Sequence, residues 1–443
     1  MRRFALSLAL ILAPFAARAD DTTILARWVQ FGPGGTAELR AVVRGANCPI
    51  VLGPGTASSG ADADNTILMY PRAVATADFP MICSATLPSD SKGSYQIATH
   101  SLDGTSLPFH VTDTTLVSDG NPIALPPHRL ERILVLGDTG CRIKGSLVQP
   151  CNDPVQWPFA ALAASAARFK PDLVIHVGDY LYRETPCPAG NAGCAGTPYG
   201  DNWATWKADF FDPAAPLLAS APWVVVRGNH EDCQRSGPGY LRLLGPTAFD
   251  PSAPCADHVA SYSIPFDGLN FVVMDNASAQ DTSVDPSVVP TYQSEFAALA
   301  NAPEPTWLLM HRPIWGALSG PMGIPVGGNQ TMIAALGGSA LAKPVALQLA
   351  GHIHVFEALN YNDAEPPAML SGNGGDLLDT VPANLAPTVF GSAVRVKDGL
   401  SVPGFGFFLM TKVGRDWNVD LYDATGTFTR RCLFTGRKID CPN

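Results

Sequence analysis

The segment Ile133-Leu134-Val135-Leu136-Gly137-Asp138-Thr139-Gly140 decides how this chain reads. Four apolar residues predict a short buried strand, and the glycine after them lets the backbone turn sharply before an acidic side chain. The pattern recurs. Apolar runs at residues 173–177, 223–226, 271–274, 307–310 and 345–349 have the same character, and segments of helical length stand between some of them, at 159–169, 203–218 and 293–299. Strands alternating with helices predict an α/β core. Pro171 and Pro222 mark where the chain must leave a helix, and residues 405–409 and 417–422 predict late strands that close the sheet.

Before this core, residues 20–121 are rich in Gly, Ser, Thr and Pro, with alternating stretches at 37–43 and 95–100. That predicts a small β-sandwich of immunoglobulin or fibronectin III type, joined through a Pro-stiffened linker at 122–132 to a second domain at 133–443. Residues 1–19 read as a signal peptide. Arg2 and Arg3 precede an apolar stretch too short to span a bilayer, and Ala17-Arg18-Ala19 fits a cleavage site, so a periplasmic or secreted protein is expected. No second long apolar run occurs, which predicts no stable membrane insertion. Ten cysteines in an exported chain predict disulfides, and proximity pairs Cys141 with Cys151, Cys187 with Cys194, Cys233 with Cys255 and Cys432 with Cys441, leaving Cys48 for Cys83. A formal charge of −10 argues against nucleic acid as the main partner, while small phosphorylated substrates stay open where metals supply local positive charge. Oligomeric state is not encoded in any of these features.

The chemistry sits where the apolar runs end. Five of the six terminate in potential metal ligands: Gly137-Asp138, Gly178-Asp179 with Tyr182 close behind, Gly228-Asn229-His230-Glu231, Met310-His311, and Gly351-His352-Ile353-His354. In open α/β sheets, sites gather beyond the carboxyl ends of strands, because side chains from separate strands converge there. A lone Gly-Asp is usually only a turn. With 41 Gly and 9 His in 443 residues, however, Gly-His-x-His should arise by chance about 0.02 times, so the ordered set is a signal.

That ordered set, around Asp138, Asp179, Asn229-His230, His311 and His352-x-His354, resembles the signature of the calcineurin-like metallophosphoesterases. The resemblance implies a four-layer αββα sandwich with a dinuclear metal site at the shared edge of two sheets. Asp138-Thr139-Gly140 lacks the His that many members carry there, and Gly178-Asp179-x-x-Tyr182 is similar to the element of purple acid phosphatases in which a Tyr binds Fe(III) as phenolate. By this resemblance the first metal takes Asp138, Asp179, Tyr182 and His354. Such a hard anionic set suits Fe(III), and a phenol of pKa about 10 needs a strong Lewis acid to ionise. The second takes Asp179, Asn229, His311 and His352, which suits Zn(II), Fe(II) or Mn(II).

The implied activity is phosphomonoester hydrolysis by attack of metal-bound hydroxide, with His230 giving a proton or a hydrogen bond to the leaving oxygen. A phosphodiesterase or nucleotide hydrolase with the same metals is the alternative, and a non-catalytic metal-binding or adhesion protein a third reading. Substrate residues are less defined, because residues 312–325 hold none of the further histidines that related enzymes use on phosphate. Arg312 is expected either to clamp a phosphate oxygen or to form a structural ion pair, and His258 is a second candidate. The sequence Gly372-Asn373-Gly374-Gly375-Asp376 reads as a tight turn bordering the site, and His128 and His176 as packing or hydrogen-bonding residues.

Overall fold

The computed structural model describes residues 22–53, 66–88, 95–102, 111–116, 123–125, 127–320, 325–362, 365–382, 384–386, 388–391 and 394–442. The expected leader at 1–19, and Pro122 and Pro126 of the expected linker, lie outside the described residues.

The apolar runs become strands of two sheets. Arg132–Leu136, Leu173–His176 and Trp223–Val225 run parallel and adjacent at the heart of an 11-stranded sheet. Leu269–Val273, Thr306–Leu309 and Val345–Ala350 do the same in an 8-stranded sheet. Because side chains alternate along a strand, each run can feed two cores. Ile133, Val135 and Ile175 face Phe271, Trp307 and Leu349 across the space between the sheets. Leu134, Leu136 and Val174 point the other way, onto Phe159, Leu162, Phe210 and Leu217 of the helical segments that cover the first sheet. On the far side Leu308 and Met310 pack beneath Tyr292, Phe296 and Met332. The result is the expected αββα layering.

The late strands close the first sheet. Gly406–Val413 pairs antiparallel with Arg132–Leu136, and Asp416–Asp423 continues outward. The expected 203–218 helix is broken: Trp203–Trp206 and Asp212–Leu218 flank a π-helical turn at Lys207–Phe211.

At the other edge, the amino-terminal region has the expected β character but shares a sheet with the core. Thr23–Phe31 pairs parallel with Trp223–Val225 and antiparallel with Ala37–Arg44. Met81–Thr86 and Tyr70–Ala73 then complete the 11-stranded sheet, while Ile50–Leu52, Thr66–Leu68, Gln96–Leu102 and Val111–Leu116 form a separate four-stranded one. Val43 and Cys83 of the shared sheet, and Val51 and Ile97 of the small one, belong to one apolar cluster that also holds the inter-sheet core. The physical reason is edge pairing: the Trp223–Val225 strand would otherwise expose unpaired backbone groups.

Candidate metal centre

Five of the seven expected ligands stand just past the carboxyl end of a core strand, and Tyr182 and His354 follow in the same loops. Asp138 comes after Arg132–Leu136, Asp179 after Leu173–His176, Asn229 after Trp223–Val225, His311 after Thr306–Leu309, and His352 after Val345–Ala350. The backbone is forced there. Asp138, Asp179 and His352 have φ of 55°, 60° and 72°, and the only other non-glycine residue with positive φ among the described residues is Lys170. Such conformations cost about 1–3 kcal/mol each and persist where surrounding structure over-determines them. Two glycines allow the close approach that results: a Cβ on Gly178 would lie 2.5 Å from His311 Nδ1, and one on Gly228 would lie 2.1 Å from Asp179 Oδ1.

The structure brings all seven expected ligands together. Tyr182 Oη lies 3.1 Å from Asp138 Oδ1, 2.7 Å from Asp179 Oδ2 and 3.2 Å from His354 Nε2. His354 Nε2 is 3.4 Å from Asp138 Oδ1. On the other side of Asp179, its Oδ2 is 3.2 Å from His311 Nε2, which sits 3.0 Å from Asn229 Oδ1. The His352 backbone N–H donates to the Asp138 carboxylate at 3.0 Å, and its ring is 5.1 Å from that of His311. Asp179, His311 and His352 alone offer ligand atoms within 4.8 Å of one another. Asp179 is thus common to both halves of the cluster.

His230 joins the group. Its backbone N–H donates to Asp179 Oδ1 at 2.8 Å, and its ring lies 3.8 Å, centroid to centroid, from that of Tyr182. His230 Nδ1 is 2.7 Å from Glu184 Oε1, in contact but off the line of a directed hydrogen bond. Burial works against the charge of Glu184, yet contact with His230 and the nearby Arg235 and Lys144 bring its carboxyl down to about 2.

The electrostatics ask for cations. Asp138 and Asp179 are buried, at 0% and 1% exposure, and among the described residues their ion pairs run only to histidines. Buried carboxylates are costly unless compensated. Despite burial, Asp179 raises His311 to about 9, and the carboxylates of Asp376 and Asp138 raise His354 to about 10, so protons collect where positive charge is wanted. Burial and the same two aspartates, 138 and 179, push the Tyr182 phenol well above its usual value. A phenol so placed ionises only against a strong Lewis acid. The donor set therefore fits a pair of metal ions, the harder one on the Tyr182 side.

The remaining candidates separate. Arg312 stands beside the cluster, with Nη1 3.3 Å from His352 Nε2, but its guanidinium is paired with Asp281 and also donates from Nε to the Ala277 carbonyl. His258 is set apart: its two ring nitrogens are taken up by the Asp275 carbonyl and Glu295, each at 3.1 Å. His176, as expected, is buried, stacked on Tyr180 and hydrogen-bonded to Thr139 Oγ1 at 3.0 Å, whereas His128 is exposed rather than packed.

Several supporting residues had no assigned role in the sequence. Asp209 accepts from the Cys141 and Tyr182 N–H groups and pairs with Arg183. Asp376 closes the Gly372–Gly375 turn over Asp138, to whose carbonyl it donates its N–H at 2.9 Å, and pairs with Arg142, which lies 4.8 Å over the Tyr182 ring. Glu231, wholly buried, accepts from the N–H groups of Asp179, Tyr180, Leu181 and Gly228 at 2.9–3.2 Å, tying two ligand loops together. Glu231→Gln should leave buried donors facing an NH₂ group, costing about 2–4 kcal/mol. The check is chemical denaturation of the metal-free protein, with metal retention measured in parallel; an unchanged midpoint would remove this role.

All five expected cysteine pairs are bonded. Among the described residues no helix is long and apolar enough to cross a membrane.

Comparison with known proteins agrees with this geometry. The family model described as calcineurin-like phosphoesterase matches residues 131–356, about half of the chain. Among solved structures, purple acid phosphatase PPD1 from yellow lupin (Lupinus luteus) seeds shares 15% identity at a TM-score of 0.53, covering 93% of this chain and 74% of its own, a likeness of fold. A conserved protein from Streptococcus pneumoniae TIGR4, described as a predicted phosphoesterase, covers 71% of this chain and 100% of its own at 10% identity, but its TM-score of 0.24 carries no argument. No curated protein matches the sequence.

Proposed function

The chain belongs to the calcineurin-like phosphoesterase family, a hydrolase acting on phosphoester bonds, and from that premise we propose that it is an exported, dinuclear enzyme of the purple acid phosphatase type. The observation that carries the proposal is the Tyr182 hydroxyl, held within 2.7–3.2 Å of Asp179, Asp138 and His354. Fe(III) on that side and Zn(II), Fe(II) or Mn(II) on the His311 side suit the two donor sets. Export to the periplasm or beyond is supported by five disulfides, which persist in oxidising compartments.

The chemistry a bound metal pair supplies is charge neutralisation on the phosphoryl oxygens and a water of lowered pKa. The chain's own residues do the rest. Asp138, Asp179, Tyr182 and His354 would hold one cation, and Asp179, Asn229, His311 and His352 the other. His230 gives a proton to the leaving oxygen: Glu184 stands 2.7 Å from its Nδ1, while Nε2 stands 4.0 Å from Asp179 Oδ2, too far for a hydrogen bond and on the side of the cluster. Small phosphate esters are the substrates, with phosphomonoesters the class drawn from the resemblance. Phosphodiesters are the second reading, favoured by the pairing of Arg142 and Arg312 with carboxylates.

The test is metal analysis with an absorption spectrum of the active protein. A phenolate-to-iron charge-transfer band in the visible, lost in Tyr182→Phe, is the expected result. An active, colourless and iron-free enzyme would instead assign it to a divalent pair and end the phosphatase reading of Tyr182.

A further inference from the structure

The two arginines nearest the cluster are both spent. Arg142 sends Nε and Nη2 to Asp376, and Arg312 sends Nη1 to Asp281. Asp281 was not singled out by sequence, since it lies in the long loop between the strand Leu269–Val273 and the helix Val289–Ala298. Its Oδ2 is 2.9 Å from His352 Nε2, and its Oδ1 accepts from Asn329 Nδ2 at 2.8 Å. This is also the open side of the cluster. The side chains of His352 and Asp281 are 25% and 33% exposed, against 0% and 1% for His311 and Asp179. An ester approaching on this exposed side would meet the Asp281–Arg312 pair.

We propose that Asp281 is a specificity-determining residue: by cancelling the Arg312 cation at the mouth of the site, it disfavours dianionic phosphomonoesters relative to monoanionic phosphodiesters. The inference rests on the phosphoesterase reading above and deepens it by naming the substrate charge that the site selects. The physical basis is that a second charge on the phosphoryl group interacts with every fixed charge around it once more. A guanidinium left unpaired would reward that second charge with a bidentate contact. Paired with Asp281, it offers no net charge, and the carboxylate faces the incoming oxygens. Both esters still receive whatever the metal ligands hold in place, so the discrimination falls on the difference between one charge and two.

The experiment measures kcat/KM on a matched phosphomonoester and phosphodiester at pH 8, above the second phosphate pKa of about 6, so that the monoester is a dianion. Asp281→Asn should raise the monoester-to-diester ratio by roughly tenfold. Arg312→Gln, which leaves Asp281 uncompensated, should move the ratio the opposite way. Calorimetric binding of inorganic phosphate against dimethyl phosphate to the metal-loaded proteins should show the same two directions. Equal changes on both esters, shifts in the same direction for both variants, or loss of the second metal from Asp281→Asn would overturn the proposal. Should the metal-loaded wild type cleave neither ester, at acid pH or at pH 8, the phosphoesterase reading fails instead, and the calorimetric pair still decides whether Asp281 selects by charge.

Discussion

Asp179→Asn is expected to lower phosphoester hydrolysis by roughly a thousandfold or more and to strip metal from both halves of the centre. Among the described residues no other side chain stands in both halves: Asp179 Oδ2 is 2.7 Å from the Tyr182 hydroxyl and 3.2 Å from His311 Nε2. An amide of the same shape keeps the packing but removes the anion that two cations would share. Its effect on the metal-free fold should be small. Asn can still accept the His230 N–H that now bonds Asp179 Oδ1 at 2.8 Å, and one buried charge disappears. In the wild type, ligand linkage adds about 4 kcal/mol when free metal exceeds its dissociation constant a thousandfold. The variant should lose that increment. Melting curves with and without metal, beside metal stoichiometry, test both halves of the argument. A variant that keeps two metals per chain would show that the bridge lies elsewhere.

The fold and the strand-end candidates were legible for one physical reason: each core strand is a short apolar run, and the residues past its carboxyl end must turn and are free to carry chemistry. Asp138, Asp179, Asn229, His311 and His352 with His354 could therefore be picked out in order as strand-end candidates. Their division into two ligand sets, and the place of Tyr182 in one of them, came from the resemblance to the metallophosphoesterase and purple acid phosphatase signatures. The groups that hold those ligands left no such trace. Asp209 lies within a stretch of helical character and reaches the Tyr182 loop from a π-helical turn, a local irregularity that periodicity does not announce. Glu231 was visible in the Gly-Asn-His-Glu stretch, but its four N–H donors come from two loops, Gly228 and Asp179 to Leu181, that meet only in the folded chain. Asp281 sits mid-loop, where composition carries no register. The amino-terminal strands show a similar limit. Their alternation gave strand character, whereas the choice of the Trp223–Val225 edge as partner depends on which edge the core leaves open.

His230→Ala should separate chemistry from metal binding more sharply than any ligand substitution. Its side chain lies beside the ligands and, through Nδ1, is held by Glu184 at 2.7 Å, so removing the ring should leave the ligand set intact and both metals bound. The loss is a proton for the departing oxygen. General acid catalysis is worth about 10²–10⁴-fold, and it matters in proportion to how poor the leaving group is. An alkyl phosphate, whose alkoxide needs the proton, should slow by that factor; a nitrophenyl ester, whose anion leaves unaided, should slow by less than about tenfold. Glu184 sharpens the expectation at acid pH. Its carboxyl, opposed by burial but lowered to about 2 by His230 and its cationic neighbours, stays ionised through the range where an acid phosphatase would work, and so keeps the imidazole oriented there. The contrast between the two esters is the measurement that matters, because a histidine that merely shaped the metal site would slow both alike, and equal slowing would return His230 to a positioning role.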